Sequence, residues 1–116
     1  MSKLQFTGIV VHKGSARPVA GVGVEAWDHG RGTARALAAA TTGERGEFTL
    51  ELDRALIDRV FGREAPTLHF EVVQGTSVLA STRDTLTWSA TGPGRGTIAV
   101  DQGRRVYERA AGRTYR

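Results

Sequence analysis

Cysteine is absent from the 116-residue sequence, which excludes disulfide bonds, thiolate metal sites and cysteine nucleophiles. This absence fits a reducing compartment, but exported bacterial proteins often lack cysteine as well. The sequence also lacks long apolar runs: the start, Met1 to Phe6, has no signal-peptide core. No stretch reaches the length of a membrane helix, about 20 apolar residues. We therefore expect a soluble protein that is cytoplasmic or exported without a classical signal peptide.

The charge of the chain is concentrated at its C-terminal end. The net charge is +4, from 16 Lys and Arg against 12 Asp and Glu. Residues 103–116 contain five arginines and one acid, whereas the preceding residues carry 11 basic and 11 acidic side chains. Because the length matches one domain, we divide the chain into a neutral domain, 1–102, and a basic Arg/Tyr tail, 103–116. An electrostatic partner is expected to contact the tail.

The alternation of apolar and polar residues predicts an all-β protein. Seven strands are expected at 4–12, 19–28, 34–42, 46–53, 67–73, 77–83 and 97–101, with Trp88 on a further short segment, 84–89. Asp53 is the predicted N-cap of a short helix over 54–61, and Gly62 is its predicted stop. We interpret the glycine-rich stretch 92–96 as an irregular connection. The predicted fold is a seven-stranded antiparallel Greek-key β-sandwich with one short helix between strands 4 and 5.

The same alternation predicts which side chains face the core. The inward set of the central strands is Val22, Val24, Ala26, Phe48, Leu50, Leu52, Leu68, Phe70 and Val72. In the fifth strand the opposite parity places His69, Glu71 and Val73 on the outer face. Trp27 is also expected on an outer face.

A family resemblance rests on residues at strand starts and turns. These residues are Gly8, Pro18, Gly21, Val22, Gly23, Val24, Glu25, Ala26, Thr42, Gly46, Phe48 and Leu50. The pattern resembles the carboxypeptidase regulatory-like, or transthyretin-like (prealbumin-like), domain family. The second half is similar to a branch found in bacterial toxin-like and secreted multidomain proteins, through 68–72, Gly75 and Trp88. The resemblance covers about residues 6–101 and implies a binding or structural module more often than an enzyme.

One enzyme shares the implied fold, the transthyretin-related hydrolase of 5-hydroxyisourate. The resemblance would assign its groups to His12, Arg45 or Arg54, His69 and the terminal run 114–116. However, His12 stands where that family has aspartate, and the family's final Gly-Ser is missing. We therefore expect no catalytic residues and no enzyme, and we keep this hydrolase as an alternative.

The histidines and tryptophans raise two other ligand classes, metal ions and carbohydrates. His12, His29 and His69 lack the short spacing of zinc ligands, so no metal site and no cofactor are expected. Trp27 and Trp88 are candidate ligand platforms, because an exposed indole can stack on a sugar. A carbohydrate-binding module is therefore a second alternative.

The tail supplies the candidate protein-binding residues. These are Arg104, Arg105, Tyr107, Arg109, Arg113, Tyr115 and Arg116. Arginine and tyrosine are favoured at protein interfaces, and an acidic or carbonyl-lined partner would complement them. Nucleic acid is an unlikely partner, because the body adds no basic face; a solvated, disordered tail is the simplest alternative. An unpaired edge strand, with 4–12 as one candidate, would also allow self-association.

The sequence thus predicts a structural or interaction module that assembles with protein partners or with itself. The resemblance adds an expected setting, a bacterial secreted, toxin or contractile-injection assembly.

Overall fold

The computed structural model describes residues 3–29, 36–62, 66–101, 107–110 and 113–114, the last two ranges as backbone only. The strands of the sandwich are β1 (Lys3–His12), β2 (Gly23–Asp28), β3 (Ala38–Thr41), β4 (Glu47–Asp53), β5 (Thr67–Gln74), β6 (Ser77–Ser81), β7 (Thr87–Ser89) and β8 (Gly94–Val100). Helix α1 (Arg54–Phe61) follows β4, and two short strands, β9 (Tyr107–Ala110) and β10 (Arg113–Thr114), come last.

The strands form two sheets that pack face to face, which confirms the predicted β-sandwich. The first sheet has the order β4-β1-β8, and the second has the order β10-β9-β6-β5-β2-β3, with β7 also paired to β5. β3 lies against β4, and β6 lies across from β8. Most pairs are antiparallel as expected, but β8 pairs with β1 in parallel.

The core lies between the sheets, where the alternating pattern predicted it. Phe48, Leu50 and Leu52 of β4 are buried and alternate with exposed residues. Leu68, Phe70 and Val72 of β5 have no exposed surface and face them from the second sheet. Burial of large apolar side chains on both sheets is the main force that holds the two layers together.

The predicted helix is confirmed at both ends. Asp53 caps its start, since its Oδ1 accepts the Ala55 N–H at 2.9 Å. Gly62 ends it with φ +60°, and its N–H donates to the Asp58 carbonyl at 2.8 Å. Ile57 and Phe61 join the core from the inner side of the helix.

Several predicted strands differ in extent from the observed ones; β6, for example, ends at Ser81 and not at residue 83. β2 begins at Gly23 instead of residue 19. The Thr42 hydroxyl holds residues 19–22 in a non-strand conformation through two hydrogen bonds. Its Oγ1 donates to the Val19 carbonyl at 2.8 Å and accepts the Val22 N–H at 3.1 Å. β8 begins at Gly94, so the prediction that 92–96 is wholly irregular was wrong.

The first residues of the predicted third strand, 34 and 35, lie outside the described residues. Of its remainder, 36–42, the residues Ala38–Thr41 form strand β3 as predicted, whereas 36, 37 and 42 lie outside the strand. In the described part of the chain, no helix is both long and apolar enough to cross a membrane.

Candidate functional site

A group of polar and aromatic side chains lies on the outer face of the second sheet. In the antiparallel pair β2–β5, Trp27 stands opposite His69, and Glu25 stands opposite Glu71. These positions alternate with Ala26 and Phe70, which face the core. With His29, just after β2, they form what we call the outer-face cluster: Glu25, Trp27, His29, His69 and Glu71.

The cluster is largely inaccessible to solvent although it faces away from the core. Trp27 is 5% exposed, His69 is 1% exposed and Glu71 is 0% exposed. The outward parity predicted for His69 and Glu71 is confirmed, but both side chains are buried. Alternation along a strand assigns a side chain to a face, but coverage of that face depends on the rest of the chain.

Polar and aromatic contacts connect members of the cluster. The Trp27 indole N–H donates to Glu25 Oε1 at 3.1 Å. His69 Nε2 lies 3.8 Å from Glu71 Oε2, which is too long for a hydrogen bond. The His29 and His69 rings meet edge to face, with centroids 5.4 Å apart. Both His69 ring nitrogens are buried and have no hydrogen-bond partner among the residues that the structure describes.

We expect His69→Leu to raise the free energy of unfolding by about 1 kcal/mol. A buried polar group without a hydrogen-bond partner is destabilising, and the leucine side chain has no polar group. Urea unfolding followed by circular dichroism measures the change. His69→Gln is the matched control: it keeps polar atoms in the same buried place, so no gain is expected. A loss of stability in His69→Leu would show that the imidazole makes a favourable polar contact after all.

Neither tryptophan provides the exposed platform that the carbohydrate alternative requires. Trp27 is covered within the outer-face cluster. Trp88 is 5% exposed and belongs to the core, where its ring lies 5.4 Å from that of Phe6, centroid to centroid. Its indole N–H donates to the Gly92 carbonyl at 2.9 Å. Neither position therefore offers the exposed indole that a carbohydrate-binding module requires, since both side chains are buried.

The three histidines considered for hydrolase or metal chemistry do not converge: His29 and His69 are in contact, but His12 is remote from both. His12 ends β1 in the first sheet, whereas His69 lies on the outer face of the second sheet. Arg45 is exposed in the turn before β4, and Arg54 opens α1. Within the described residues, no three His, Asp or Glu side chains are placed to hold a metal ion.

The described part of the tail is paired to the sandwich. β9 continues the second sheet beyond β6, with Ser77 opposite Glu108 and Val78 opposite Tyr107. β10 then pairs antiparallel with β9. Of the predicted protein-binding residues, Tyr107 and Arg109 lie on β9 and Arg113 lies on β10. The other four lie outside the described residues: Arg104, Arg105, Tyr115 and Arg116.

The strand order also identifies the sheet edges. The candidate edge strand 4–12 corresponds to β1, which lies between β4 and β8 and is therefore central. The first sheet ends instead at β4 and β8. Sequence alone missed both the β8 edge and the outer-face cluster, because each depends on pairing between distant segments.

Comparison with known proteins supports the fold of this chain and does not identify its function. No family model and no curated protein matches this chain. A 9R-lipoxygenase from Cyanothece is similar in structure, with a TM-score of 0.59 and 18% identity over 84% of this chain and 16% of that protein. A DUF3823 family protein from Parabacteroides merdae has a TM-score of 0.53 and 12% identity over 85% and 46% of the two chains.

A candidate carbohydrate-binding protein from Bacteroides uniformis has a TM-score of 0.51 and 14% identity, over 84% of this chain and 40% of that protein. The chain thus spans less than half the length of each of these three proteins. At such identities the likeness shows the fold alone, a β-sandwich-type domain.

Proposed function

We propose that this chain is a non-catalytic β-sandwich module of a protein assembly, which contacts its partners, or further copies of itself, through the C-terminal segment 103–116. The observation that carries the proposal is the pairing of β9 with β6. This pairing attaches the backbone of Tyr107 and Glu108 to the edge of the second sheet, which supports a binding role for the arginine-rich segment at that edge.

The distribution of charge supports the same function. The segment contains five arginines, while the rest of the chain has equal numbers of basic and acidic residues. Arginine binds carboxylates through paired hydrogen bonds, which favours an acidic protein surface as the partner. We further propose a bacterial secreted, toxin or contractile-injection assembly as the setting, which the resemblance of 6–101 to the transthyretin-like family supports.

The two alternatives have less support. A hydrolase would need His12 and His69 to converge, but they belong to different sheets. A carbohydrate-binding module would need an open indole, but Trp27 and Trp88 are both buried. Because His12 is remote from His69 and both indole rings are buried, a binding surface made by the sheet edges and the tail is favoured.

Light scattering tests the proposal by comparing the full chain with a chain that ends at Gln102. If the segment mediates self-assembly, the full chain is expected to exceed its monomer mass of 12.5 kDa and the shortened chain to be monomeric. A full chain with all five tail arginines replaced by lysine is the charge-matched control, and it is expected to assemble more weakly because lysine cannot bind in paired fashion. If both natural-sequence chains are monomers, self-assembly through the tail is wrong.

A further inference from the structure

β8 is an edge strand whose outward backbone groups have no strand partner among the described residues. In its parallel ladder with β1, His12 stands opposite Val100, and the Val100 carbonyl accepts the Lys13 N–H at 2.7 Å. By alternation, Ile98 and Gly96 also bond to β1. The N–H and C=O groups of Arg95, Thr97 and Ala99 therefore point away from β1, to the open side of the sheet.

β8 lacks the protection that the other edges have. An exposed edge is usually blocked by charges, proline, a bulge or a very short strand. The opposite edge, β4, carries three exposed acids, Glu47, Glu51 and Asp53, and β3 lies against it. β3 itself has only four residues. β8 has seven residues, no proline, no lysine and one charge, Arg95.

The two sheets differ in width on the side of β8. β6 lies across from β8, but the second sheet continues past β6 with β9 and β10, whereas the first sheet stops at β8. Because neighbouring strands lie about 4.8 Å apart, the second sheet extends roughly 10 Å farther. One more strand beside β8 would lie under β9 and extend the first sheet.

Apolar side chains border the same place. Leu86 and Leu79 are only half buried, and both pack against the core from the β6–β7 side. Leu86 lies so close to β8 that a Cβ on Gly96 would come within 2.9 Å of its Cδ2. An added strand with apolar residues on its inner face would cover these leucines.

We propose that the free edge of β8 binds an extended strand of a partner protein in which apolar and acidic residues alternate. The apolar residues face Leu79 and Leu86, and the acidic residues face outward near Arg95, the one charged residue of β8. This inference rests on the proposed function, and it adds that the partner binds as an extended strand.

The probe is a fluorescein-labelled peptide of about ten residues in which valine and glutamate alternate. It is added to the full chain, and binding is followed by fluorescence anisotropy and by amide hydrogen exchange. In the free chain the Arg95, Thr97 and Ala99 amides are expected to exchange fast, and saturating peptide is expected to slow them about tenfold or more. A peptide with lysine in place of glutamate is expected to bind at least about tenfold more weakly.

Thr97→Pro removes one outward N–H without touching the ladder to β1, so the peptide affinity is expected to fall about tenfold. Thr49→Pro is the matched control, because the Thr49 backbone points outward in the same way on the opposite edge, β4. The affinity of this variant for the peptide is expected to stay within about twofold of that of the unchanged protein. A second pair changes only an exposed side chain: Ala99→Glu is expected to weaken binding of the acidic peptide, and Ala99→Arg to strengthen it.

Three results would overturn the inference. The first is protection of the three amides in the free chain at low concentration, which would mean that this chain covers its own edge. The second is protection that appears only as the protein is concentrated, which would make a second copy the occupant. The third is no binding up to about 1 mM peptide, or equal binding by Thr97→Pro. If any of these results is obtained but the chain that ends at Gln102 still differs from the full chain in oligomeric mass, the proposed function stands and only the inference about β8 fails.

Discussion

Gly46→Ala is expected to lower the free energy of unfolding by about 2 to 5 kcal/mol, from left-handed backbone strain together with overpacking. Gly46 has φ +75° in the turn before β4, and a Cβ there would overlap the Val10 carbonyl oxygen. The Pro18 side chain and the Val19 nitrogen are also close, at 3.2 and 3.1 Å from the same Cβ. Because the Gly46 carbonyl also accepts the Val10 N–H of β1 at 2.8 Å, relief of the overlap would shift both β1 and the start of β4. Urea unfolding with an unchanged m-value measures the loss.

Gly75→Ala separates the two causes of that loss. Gly75 also has positive φ, +61°, in the β5–β6 turn, but no atom lies within 4 Å of a Cβ built there. It therefore reports the backbone cost alone, about 1 to 2 kcal/mol. Equal losses at both glycines would contradict the close approach of Val10 to Gly46 and leave only the turn geometry as the reason for glycine.

Alternation in the sequence predicted the inner face of the sandwich well. In 47–53 a strict period of two identifies Phe48, Leu50 and Leu52 as core residues, and the structure buries all three. The helix that follows was predicted from its cap residues, Asp53 and Gly62. Such features depend on neighbours along the chain, and short-range physical chemistry determines them.

The glycine-rich start of β8 was mispredicted because glycine is common in loops. In the fold, Gly94 and Gly96 lie under Phe6, and a Cβ on either would come within about 3.0 Å of that ring. The absence of a side chain here reflects close packing between segments that are far apart in sequence. The parallel pairing of β8 with β1 has the same long-range origin.

The candidate sites were the least predictable feature. The parity of His69 was correct, but its burial depends on what covers the second sheet, and no local pattern reports this. The free edge at β8 emerges only from the strand order β4-β1-β8. The arginine-rich tail was visible in composition, whereas the attachment of β9 to β6 required the fold.

Phe6→Ala is expected to lower the free energy of unfolding by about 3 to 5 kcal/mol, the range for truncation of a buried aromatic ring. Phe6 is 2% exposed, and its ring contacts both sheets. Its centroid lies 4.4 Å from that of Phe70 in the second sheet and 6.2 Å from that of Phe48 in the first. The Trp88 ring completes this group at 5.4 Å. Removal of Phe6 leaves a cavity between rigid layers that cannot close without moving a strand.

Phe6→Leu is the control for shape, because it keeps apolar contact with both sheets and is expected to cost clearly less than alanine. Phe6 also lies beside Gly94, where β8 begins. We therefore expect Phe6→Ala to speed amide exchange in the inner ladder of β8, at Gly96 and Ile98, beyond the change in global stability. A loss below about 1 kcal/mol, or exchange that accelerates uniformly in both sheets, would mean that this ring does not connect the layers at β8.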